Sequence, residues 1–456
     1  MIAPALDQSQ TMGPASVLRH RDFRLFWIGA LISNTGTWLQ GAAVPYVLFK
    51  LTGSSVWVGL SVLASLFPGV IAGPIAGAIA DRLDRRIMLF WIQFASALTA
   101  VTLAVLWVEH LRSPGTVLAV TAVSGALMGF GMPVWQGFVA DLVPRESLPA
   151  AVTMNSVQFH GSRAIGPALA GLILATVGPT WAFVGNAVSY AAVMLALWFV
   201  RARPLRRTSE RAGMVAELRA GLTYARGHEG IATALVLVAA VGFLGNPIVQ
   251  LAPAFSERIY HVGAGAYGLL TAAFGLGAAL GLYQIGRLGQ RYSRASLLPW
   301  SFLILGTAVI GFGLSPTYPV GAVCVLLAGS TAVGSGVLLL TAVQTHVDDA
   351  FRGRVLGAYG MAFTASYPLG SLAQGASADL IGARANEIAV GAIILVVTGL
   401  LMSNRGRLEA LDAPSPPAEV PDRSPEPPTG APFRRRLIDP RRLSNRERFC
   451  PTGRRG

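Results

Sequence analysis

Long apolar stretches alternate with short polar breaks along most of the chain, and this pattern predicts membrane-spanning helices. A helix needs about 20 consecutive apolar residues to cross roughly 30 Å of hydrocarbon. Barrel strands would instead alternate apolar and polar residues over about 10 positions, whereas these stretches are longer and apolar on all sides. The twelve predicted spans cover residues 23–51, 56–80, 87–108, 117–143, 150–177, 181–200, 231–255, 264–286, 297–314, 320–347, 355–380 and 388–402.

The composition supports an all-α membrane protein. The 456 residues are 53% hydrophobic and 13% charged, whereas soluble domains carry about 25% charged residues. Residues 1–17 lack the pattern of a cleavable signal peptide, so we expect the first span to act as the targeting signal. The two cysteines, Cys324 and Cys450, do not indicate a disulfide framework or redox chemistry.

The net charge of +14 has a topological explanation. Breaks on one side of the predicted membrane carry most of the arginines, whereas breaks on the other side carry Lys50, Arg112, Arg258 and Arg384. Cytoplasmic loops of membrane proteins are enriched in lysine and arginine. The bias therefore predicts a multi-pass protein of the cytoplasmic membrane, with both termini in the cytoplasm and no nucleic-acid partner.

The spans form two groups of six, separated by a polar stretch with Met214, Leu218 and Leu222 at helical spacing. We interpret this stretch as a cytoplasmic connector that lies partly on the membrane surface. The two groups repeat each other weakly, as expected of a duplicated transporter: Gln136 and Asp141 recur as Gln344 and Asp349. The predicted parts are a cytoplasmic segment (1–18), a six-helix bundle (19–200), the connector (201–230), a second six-helix bundle (231–403) and a disordered tail (404–456).

The most specific motif lies in the break between the second and third spans. It consists of Gly77, Asp81, Arg82, Arg85 and Arg86. This pattern resembles the loop signature of the major facilitator superfamily, although Asp84 stands where that signature has glycine. Further strings, namely RHRDFRLFWIGALISNTGTWLQ, DLVPRESL, RAIGPALAG and FRGRV, resemble the branch that contains the enterobactin exporter and macrolide-efflux proteins.

The resemblance implies a fold of twelve helices in two pseudo-symmetric bundles. It also implies secondary active export of a siderophore, a macrolide-like drug or another small amphipath, by alternating access and coupled to protons. The alternatives are an importer or lipid flippase of the same fold, or a membrane enzyme or receptor. No catalytic motif, phosphate loop or metal-ligand cluster is evident in the sequence, so we predict neither an enzyme nor a bound cofactor. The expected partners are the substrate, protons and the lipid bilayer, and the expected state is a monomer.

The resemblance also implies a gate at this break. Asp81 is then expected to contact the start of the eleventh span, near Arg354 and Val355, when the cytoplasmic side is closed. Arg85 can pair with Asp141 at the end of the fourth span. The alternative is a charged turn that only fixes the topology.

The fifth span contains Gly166, Pro167 and Gly171. Because Pro167 cannot donate a hydrogen bond to the carbonyl of Arg163, we expect a bend there, with the glycines allowing close packing. The pattern resembles the glycine-proline motif of superfamily antiporters. Ordinary helix packing is the alternative.

Arg163 is a charged residue deep within a predicted span. Such a residue is costly and usually faces a bundle interior or a water-filled cavity. One hypothesis is that Arg163 lines the substrate cavity and attracts an anionic or oxygen-rich substrate. The other is a structural arginine, bonded to the carbonyl freed by the bend or to Asp141.

Polar and aromatic residues at helical spacing extend the candidate cavity, with hydrogen bonding between helices as the alternative role. They are Asn34 and Trp38 in the first span, Asn155 and Gln158 in the fifth, Asn246 and Gln250 in the seventh, and Tyr359 and Tyr367 in the eleventh. Proton-coupled exporters commonly use a carboxylate within a span. The predicted spans contain no such carboxylate at mid-depth, which leaves Asp22, Asp81 and Asp141 as peripheral candidates.

Overall fold

A computed structural model of the chain describes residues 14–80, 83–201, 214–348 and 351–412, and every regular element within these ranges is helical. The all-α prediction is confirmed for this part of the chain. The helices are α1 (Arg21–Thr52), α2 (Ser55–Ala80), α3 (Arg85–Val108), α4 (Pro114–Asp141), α5 (Leu148–Thr176), α6 (Pro179–Phe199), α7 (Met214–Arg226), α8 (Glu229–Ile259), α9 (Gly263–Leu288), α10 (Arg294–Leu314), α11 (Tyr318–His346), α12 (Arg352–Ile381), α13 (Ala383–Ser403) and α14 (Arg405–Glu409).

Apart from α7 and α14, the described helices have at least 21 residues, and each overlaps one predicted span. Among the described residues, nine helices are long and apolar enough to cross a membrane. The remaining long helices, α1, α5 and α12, bury polar side chains such as Gln40, Gln158 and Gln374, which lower their hydropathy. The helices are therefore consistent with twelve spans.

The long helices form two related halves. In the N-terminal half (α1–α6), α2 packs against α4 and α3 against α6. In the C-terminal half (α8–α13), the corresponding pairs α9 with α11 and α10 with α13 make the same contacts. Between the halves, α2 packs against α12 and α5 against α9, and these two contacts are also equivalent. The two bundles are thus pseudo-symmetric in structure, as predicted.

Glycines allow close approach of helices within each half. A Cβ atom placed on Gly129 of α4 would lie 2.1 Å from the Cα atom of Gly69 of α2. In the C-terminal half, a Cβ atom on Gly329 of α11 would lie 2.3 Å from the carbonyl oxygen of Phe274 of α9. Membrane helices pack by such close contacts because lipid provides no hydrophobic driving force between them.

The helix α8 is irregular, although the sequence predicted a continuous seventh span. An α-helical segment, Glu229–Ala240, is followed by a wide π-helical turn, Val241–Gly245, and a tight 3₁₀ segment, Asn246–Leu251. Pro247 lacks a backbone donor, which breaks the regular hydrogen-bond pattern. The side chain of Gln374 on α12 donates to the carbonyls of Phe243 and Leu244 at 2.8 and 3.2 Å. The neighbouring helix therefore satisfies carbonyl groups at the break.

The helical bundle has two ends, which differ in the turns that they hold. The connector face is the end where α6 ends and α8 begins, and the opposite face is the end that holds the turn between α1 and α2. The helix α7 packs against the turn between α11 and α12, where the ring of Tyr224 stacks on His228 and Phe351 at 4.1 and 4.5 Å. The Tyr224 hydroxyl donates to Asp348 at 3.0 Å. At least the end of the connector is therefore held by the C-terminal half.

Candidate functional site

Arg163 lies about halfway along α5, at the level where the two halves meet. Its guanidinium carbon lies 5.3 Å from the centre of the Trp38 ring on α1, within the range of cation–π attraction. The Trp38 ring packs edge-on against Phe159, with ring centres 5.6 Å apart. Arg163 and Trp38 are both half-buried. The N-terminal half thus presents a charged group supported by an indole ring.

The C-terminal half contributes two more of the predicted residues. The Gln250 side chain of α8 donates to the hydroxyl of Tyr367 on α12 at 2.6 Å. Arg163 interacts electrostatically with Tyr367 across the boundary between the halves. Gln250 and Tyr367 are also half-buried. The structure therefore brings together four residues that the sequence had assigned to one cavity, and we refer to Trp38, Arg163, Gln250 and Tyr367 as the central cluster.

Arg163 has no ion pair with a carboxylate among the described residues, and its side chain has no hydrogen bond to them. The carboxylate of Asp141 pairs with Arg85 instead, with 3.0 Å between Oδ2 and Nη1. This excludes Asp141 as the partner of Arg163 in this conformation. The carbonyl of Arg163 itself, to which Pro167 cannot donate, likewise receives no hydrogen bond from the guanidinium. Both structural explanations of Arg163 weighed from the sequence therefore lack support in the described contacts.

Several other predicted cavity residues join helices within the N-terminal half, α1 to α5 and α4 to α5. The Asn34 side chain donates to Gln158 at 3.1 Å. Gln158 is buried and donates to the carbonyl of Ala30 at 3.0 Å and to Ser162 at 3.2 Å. Asn155 accepts a hydrogen bond from the indole of Trp135 at 3.2 Å. The contacts of these residues match the alternative reading, hydrogen bonding between helices.

Two predicted residues of the C-terminal half have structural partners. Asn246 is buried, and its side chain donates to the carbonyl of Val241 at 3.2 Å, which stabilises the irregular part of α8. Tyr359 is buried, and its hydroxyl donates to the carbonyl of Gly336 on α11 at 2.6 Å. Their place in the substrate cavity stays a prediction. A helical stripe cannot separate such residues from Gln250 and Tyr367, because all four share the same spacing pattern.

The glycine-proline segment of α5 forms contacts on two sides. A Cβ atom on Gly166 would lie 2.5 Å from the Cβ atom of Trp38 on α1, and one on Gly171 would lie 2.5 Å from the Cα atom of Gly268 on α9. A Cβ atom on Gly268 would approach the carbonyl oxygen of Pro167 to 2.9 Å. The segment therefore packs within the N-terminal half and against the C-terminal half at once.

The predicted gating motif is described only in part. Asp81 and Arg82 lie outside the described residues, and for Gly77 the structure describes only its membership of α2. Arg86 donates to the carbonyl of Trp198 at the end of α6, at 2.9 Å, so its contact lies within the N-terminal half. The Arg85–Asp141 pair also lies within that half and is largely buried. The role of these residues as a gate stays a prediction.

Asp84, which stands where the superfamily signature has glycine, caps the start of α3. Its carboxylate accepts hydrogen bonds from the backbone amides of Arg86 and Ile87, at 2.8 and 3.4 Å. These amides open α3 and have no partner within the helix, so an aspartate at this position stabilises the helix start. A glycine at the same position could not supply this cap.

The sequence reasoning missed polar contacts between the halves near the opposite face. Glu257 of α8 accepts a hydrogen bond from the hydroxyl of Tyr46 and pairs with Lys50 at 2.8 Å. Arg258 donates to the carbonyl of Gly53. Asp379 of α12 accepts hydrogen bonds from the turn before α2. These residues lie far apart in the chain, so no local pattern could pair them.

An acidic residue inside the bundle, Glu387, was also not predicted from the sequence. Glu387 lies in α13, one residue before the predicted start of the twelfth span, and it is fully buried. Among the described residues, neither carboxyl oxygen has a hydrogen-bond partner. Its Cβ atom lies next to Gly313 of α10, where a Cβ atom would be 3.1 Å away. Because the predicted twelfth span begins at residue 388, the sequence did not indicate Glu387 as an embedded acid.

No group of three or more histidine, cysteine or acidic residues that could hold a metal ion occurs in the ranges described above. The side chains of the central cluster are suited to binding a ligand. A guanidinium and a hydroxyl can hold oxygen atoms or negative charge, and an indole can stack on an apolar or aromatic group.

Comparisons with known proteins identify the family. The transmembrane secretion effector family matches residues 12–434. The enterobactin exporter EntS of Citrobacter koseri is 28% identical over 437 residues, which is 92% of this chain and 99% of that protein. The EntS protein of Escherichia coli O1:K1 / APEC is 27% identical over 410 residues, covering 87% of this chain and 94% of that protein.

Solved structures show the same fold. A bacterial homolog of the human lysosomal transporter Spinster, in an inward-facing and unoccupied conformation, has a TM-score of 0.67 and 16% identity, covering 87% of this chain and 99% of that one. A D-xylose-proton symporter has a TM-score of 0.67 and 15% identity, covering 85% and 98%. The chain is a multi-pass membrane protein that belongs to the transmembrane secretion effector family of major facilitator superfamily transporters.

Proposed function

We propose that this protein is a secondary active transporter that exports a small amphipathic molecule with anionic or oxygen-rich groups. The observation that carries the proposal is Arg163, a half-buried guanidinium at the middle of the bundle without an acidic partner among the described residues. A charge at such a depth is costly and is retained where it serves a pathway or a ligand. An anionic substrate would supply the missing countercharge.

The surroundings of Arg163 favour an amphipathic substrate. Trp38 offers an indole face beside the guanidinium, and Tyr367 accepts from Gln250, so its own hydrogen is free to donate. A molecule with aromatic or apolar surface and several oxygen atoms could use all of these groups. Because the relatives are named enterobactin exporters, we propose siderophores as the first candidates, before macrolide-like drugs.

The contacts between the halves support the proposal of alternating access. From the level of Arg163 towards the opposite face, α5 contacts α9 at Gly275, Gly268 and Gly265, and polar side chains join α1 and α2 to α8 and α12. We infer that this conformation is closed at the opposite face and receives substrate from the connector face. From the arginine bias we propose that the connector face is cytoplasmic, with both chain ends on that side.

Proton coupling is proposed as the energy source, which makes the protein an antiporter. Buried Glu387 is an acid within the described bundle that lacks a hydrogen-bond partner there, and Asp22, Asp81 and Asp141 are peripheral candidates. The membrane potential and the pH gradient can both drive exchange of protons for an anion. We propose transport rather than catalysis, by a monomer without a bound cofactor.

The test is flux into inside-out vesicles with an imposed proton gradient, using siderophores, macrolides and lipophilic cations as substrates. Export coupled to protons predicts accumulation that depends on the gradient and collapses with an uncoupler. Efflux from loaded vesicles without accumulation would instead favour an importer or a flippase. Absence of both would contradict a transport function for these substrates.

Replacement of Arg163 tests the site itself. Arg163→Gln should abolish accumulation while leaving protein levels normal, and Arg163→Lys should retain part of it because the charge remains but the planar donor group is lost. Arg112→Gln is the matched control, since Arg112 also lies over an indole, that of Trp107, at 4.8 Å but near the opposite face. Unchanged flux in Arg163→Gln would remove Arg163 from the substrate site.

A further inference from the structure

We propose that Asp379 is the principal latch that holds the opposite face closed, by capping the start of α2 across the boundary between the halves. The proposal rests on the proposed alternating-access function. It assigns a gating role to residues that lie outside the superfamily motif and that no local sequence pattern connects.

The contact is a helix cap made by a side chain of the other half. Asp379 lies in the last turn of α12, and its carboxylate accepts hydrogen bonds from the amides of Ser55 and Val56 at 2.7 and 3.1 Å. The hydroxyl of Ser54 donates to the same carboxylate. The first amides of a helix have no acceptor within the helix, and they attract negative charge. The start of α2 is therefore stabilised by Asp379 only while the halves are together here.

The backbones come close at the same place. A Cβ atom on Gly375 of α12 would lie 2.4 Å from the carbonyl oxygen of Ser55, and one on Gly59 of α2 would lie 2.6 Å from the carbonyl oxygen of Ser371. Larger residues at these two glycines would keep the helices apart. The small residues thus bring the Asp379 carboxylate within reach of the α2 amides.

A second set of contacts from α8 supports the latch. Glu257 binds Tyr46 and Lys50 of α1, and Arg258 donates to the carbonyl of Gly53 in the α1–α2 turn. Two helices of the C-terminal half therefore hold the same turn of the N-terminal half. Opening of the opposite face has to break both sets.

The pseudo-symmetry of the halves gives the latch a counterpart. Asp81 follows the end of α2 and, by the superfamily resemblance, is expected to contact the start of α12 near Arg354. Asp379 lies at the end of α12 and contacts the start of α2. Each helix of this pair would thus supply an acid to the start of the other, at opposite faces and in alternate states. Asp81 lies outside the described residues, so its half of the relation stays a prediction.

The test measures how often the opposite face opens. A single cysteine is introduced by Gly41→Cys, where a Cβ atom meets no atom within 4 Å, after removal of Cys324 and Cys450. Gly41 lies on α1 between Trp38 of the central cluster and Tyr46, whose hydroxyl donates to Glu257. A membrane-impermeant maleimide is added from the opposite face of right-side-out vesicles. The rate of labelling is proportional to the fraction of molecules open at that face.

Asp379→Ala should raise this rate about five-fold, as expected for loss of one partly exposed helix cap, and Asp379→Asn should raise it less. The matched control is Asp412→Asn. Asp412 also caps a helix start, accepting from the amides of Arg294 and Ala295 of α10 at 3.2 and 2.9 Å, but it does so within one half. The labelling rate of Asp412→Asn should equal that of the parent protein.

Equal rates for the parent, Asp379→Asn and Asp379→Ala would overturn the latch. An equal rise in Asp412→Asn, or a rise in labelling from both faces in Asp379→Ala, would also overturn it, because either shows general loosening. Vesicle flux separates this proposal from the proposed function. If the labelling rate depends on Asp379 but the protein shows no export activity, the latch is supported and export is refuted.

Discussion

Two tyrosines of α12, Tyr359 and Tyr367, lie on one stripe of the helix but have different partners. The Tyr367 hydroxyl accepts from Gln250 and interacts electrostatically with Arg163, whereas the Tyr359 hydroxyl donates to the Gly336 carbonyl and is buried. The hydroxyl of Tyr367 can therefore donate to a substrate. That of Tyr359 is already used by the protein.

Tyr367→Phe should raise the KM for export about ten-fold, which corresponds to one hydrogen bond with a charged group. Tyr359→Phe should leave KM unchanged and lower the stability by about 1 kcal/mol, because it leaves a buried carbonyl without a donor. Vesicle flux and thermal unfolding of the purified proteins measure these two effects. An equal change of KM in both variants would contradict the assignment of Tyr367 to the central cluster.

The buried position of Glu387, without a hydrogen-bond partner among the described residues, leads to a second prediction. An ionised carboxylate buried without a partner is strongly unfavourable, so the account requires the neutral, protonated acid in this conformation. Glu387→Gln preserves the shape of that neutral group and should leave the melting temperature unchanged or higher. Glu387→Ala should lower the stability by about 2 kcal/mol or more, because it leaves a cavity. A loss of stability in Glu387→Gln as large as that in Glu387→Ala would show that the charge is needed.

At the scale of elements, the contact of α5 with α9 depends on glycines from both helices. A Cβ atom on Gly268 would lie 2.3 Å from the Cα atom of Gly171, a distance that requires the helices to move apart. Since we propose that the opposite face is closed in this conformation, a larger residue at this contact should disfavour the closed state.

Gly268→Ala should therefore lower the maximal export rate several-fold and increase labelling of the Gly41→Cys reporter from the opposite face. Gly286→Ala is the control on the same helix, because a Cβ atom there meets no atom within 4 Å, and it should behave as the parent protein. Normal export and normal labelling in Gly268→Ala would indicate that the α5–α9 contact does not limit the cycle.

Much of the arrangement of elements was predictable from the sequence, because lipid imposes one strong rule. Apolar stretches long enough to span a bilayer must be helical, and each predicted span coincides with a long helix. The break in α8 was not predicted. Pro247 marks the position. The hydrogen bond from Gln374 of α12 to the Phe243 carbonyl, within the π-helical turn Val241–Gly245, could not be predicted, because the sequence of one helix carries no information about its neighbour.

The candidate site was predictable to a similar extent. The cost of burying a charge singled out Arg163, and helical spacing placed Trp38, Gln250 and Tyr367 near it. The same spacing also selected Asn246 and Tyr359, whose hydrogen bonds to nearby carbonyls only the structure reveals. Asp379 had no signal at all, because its partners Ser54 and Ser55 are more than 300 residues away in the chain.

At the scale of the whole molecule, the two halves are equivalent in their packing, and their boundary runs through the central cluster. The contacts between α2 and α12 and between α5 and α9 exchange under the internal symmetry. A molecule built in this way can close at either face by equivalent motions. We propose that the described contacts belong to a state closed at the opposite face, and that a second state is closed at the connector face.

The most direct test of this account measures two distances in the same protein by paired spin labels. One pair, at Glu109 and Thr317, spans the halves at the opposite face, and the other, at Glu146 and Arg291, spans them at the connector face. On addition of substrate or a change of pH in nanodiscs, the account predicts that one distance lengthens as the other shortens. Two distances that change in the same direction, or that both stay constant during active export, would contradict alternating access by these two halves.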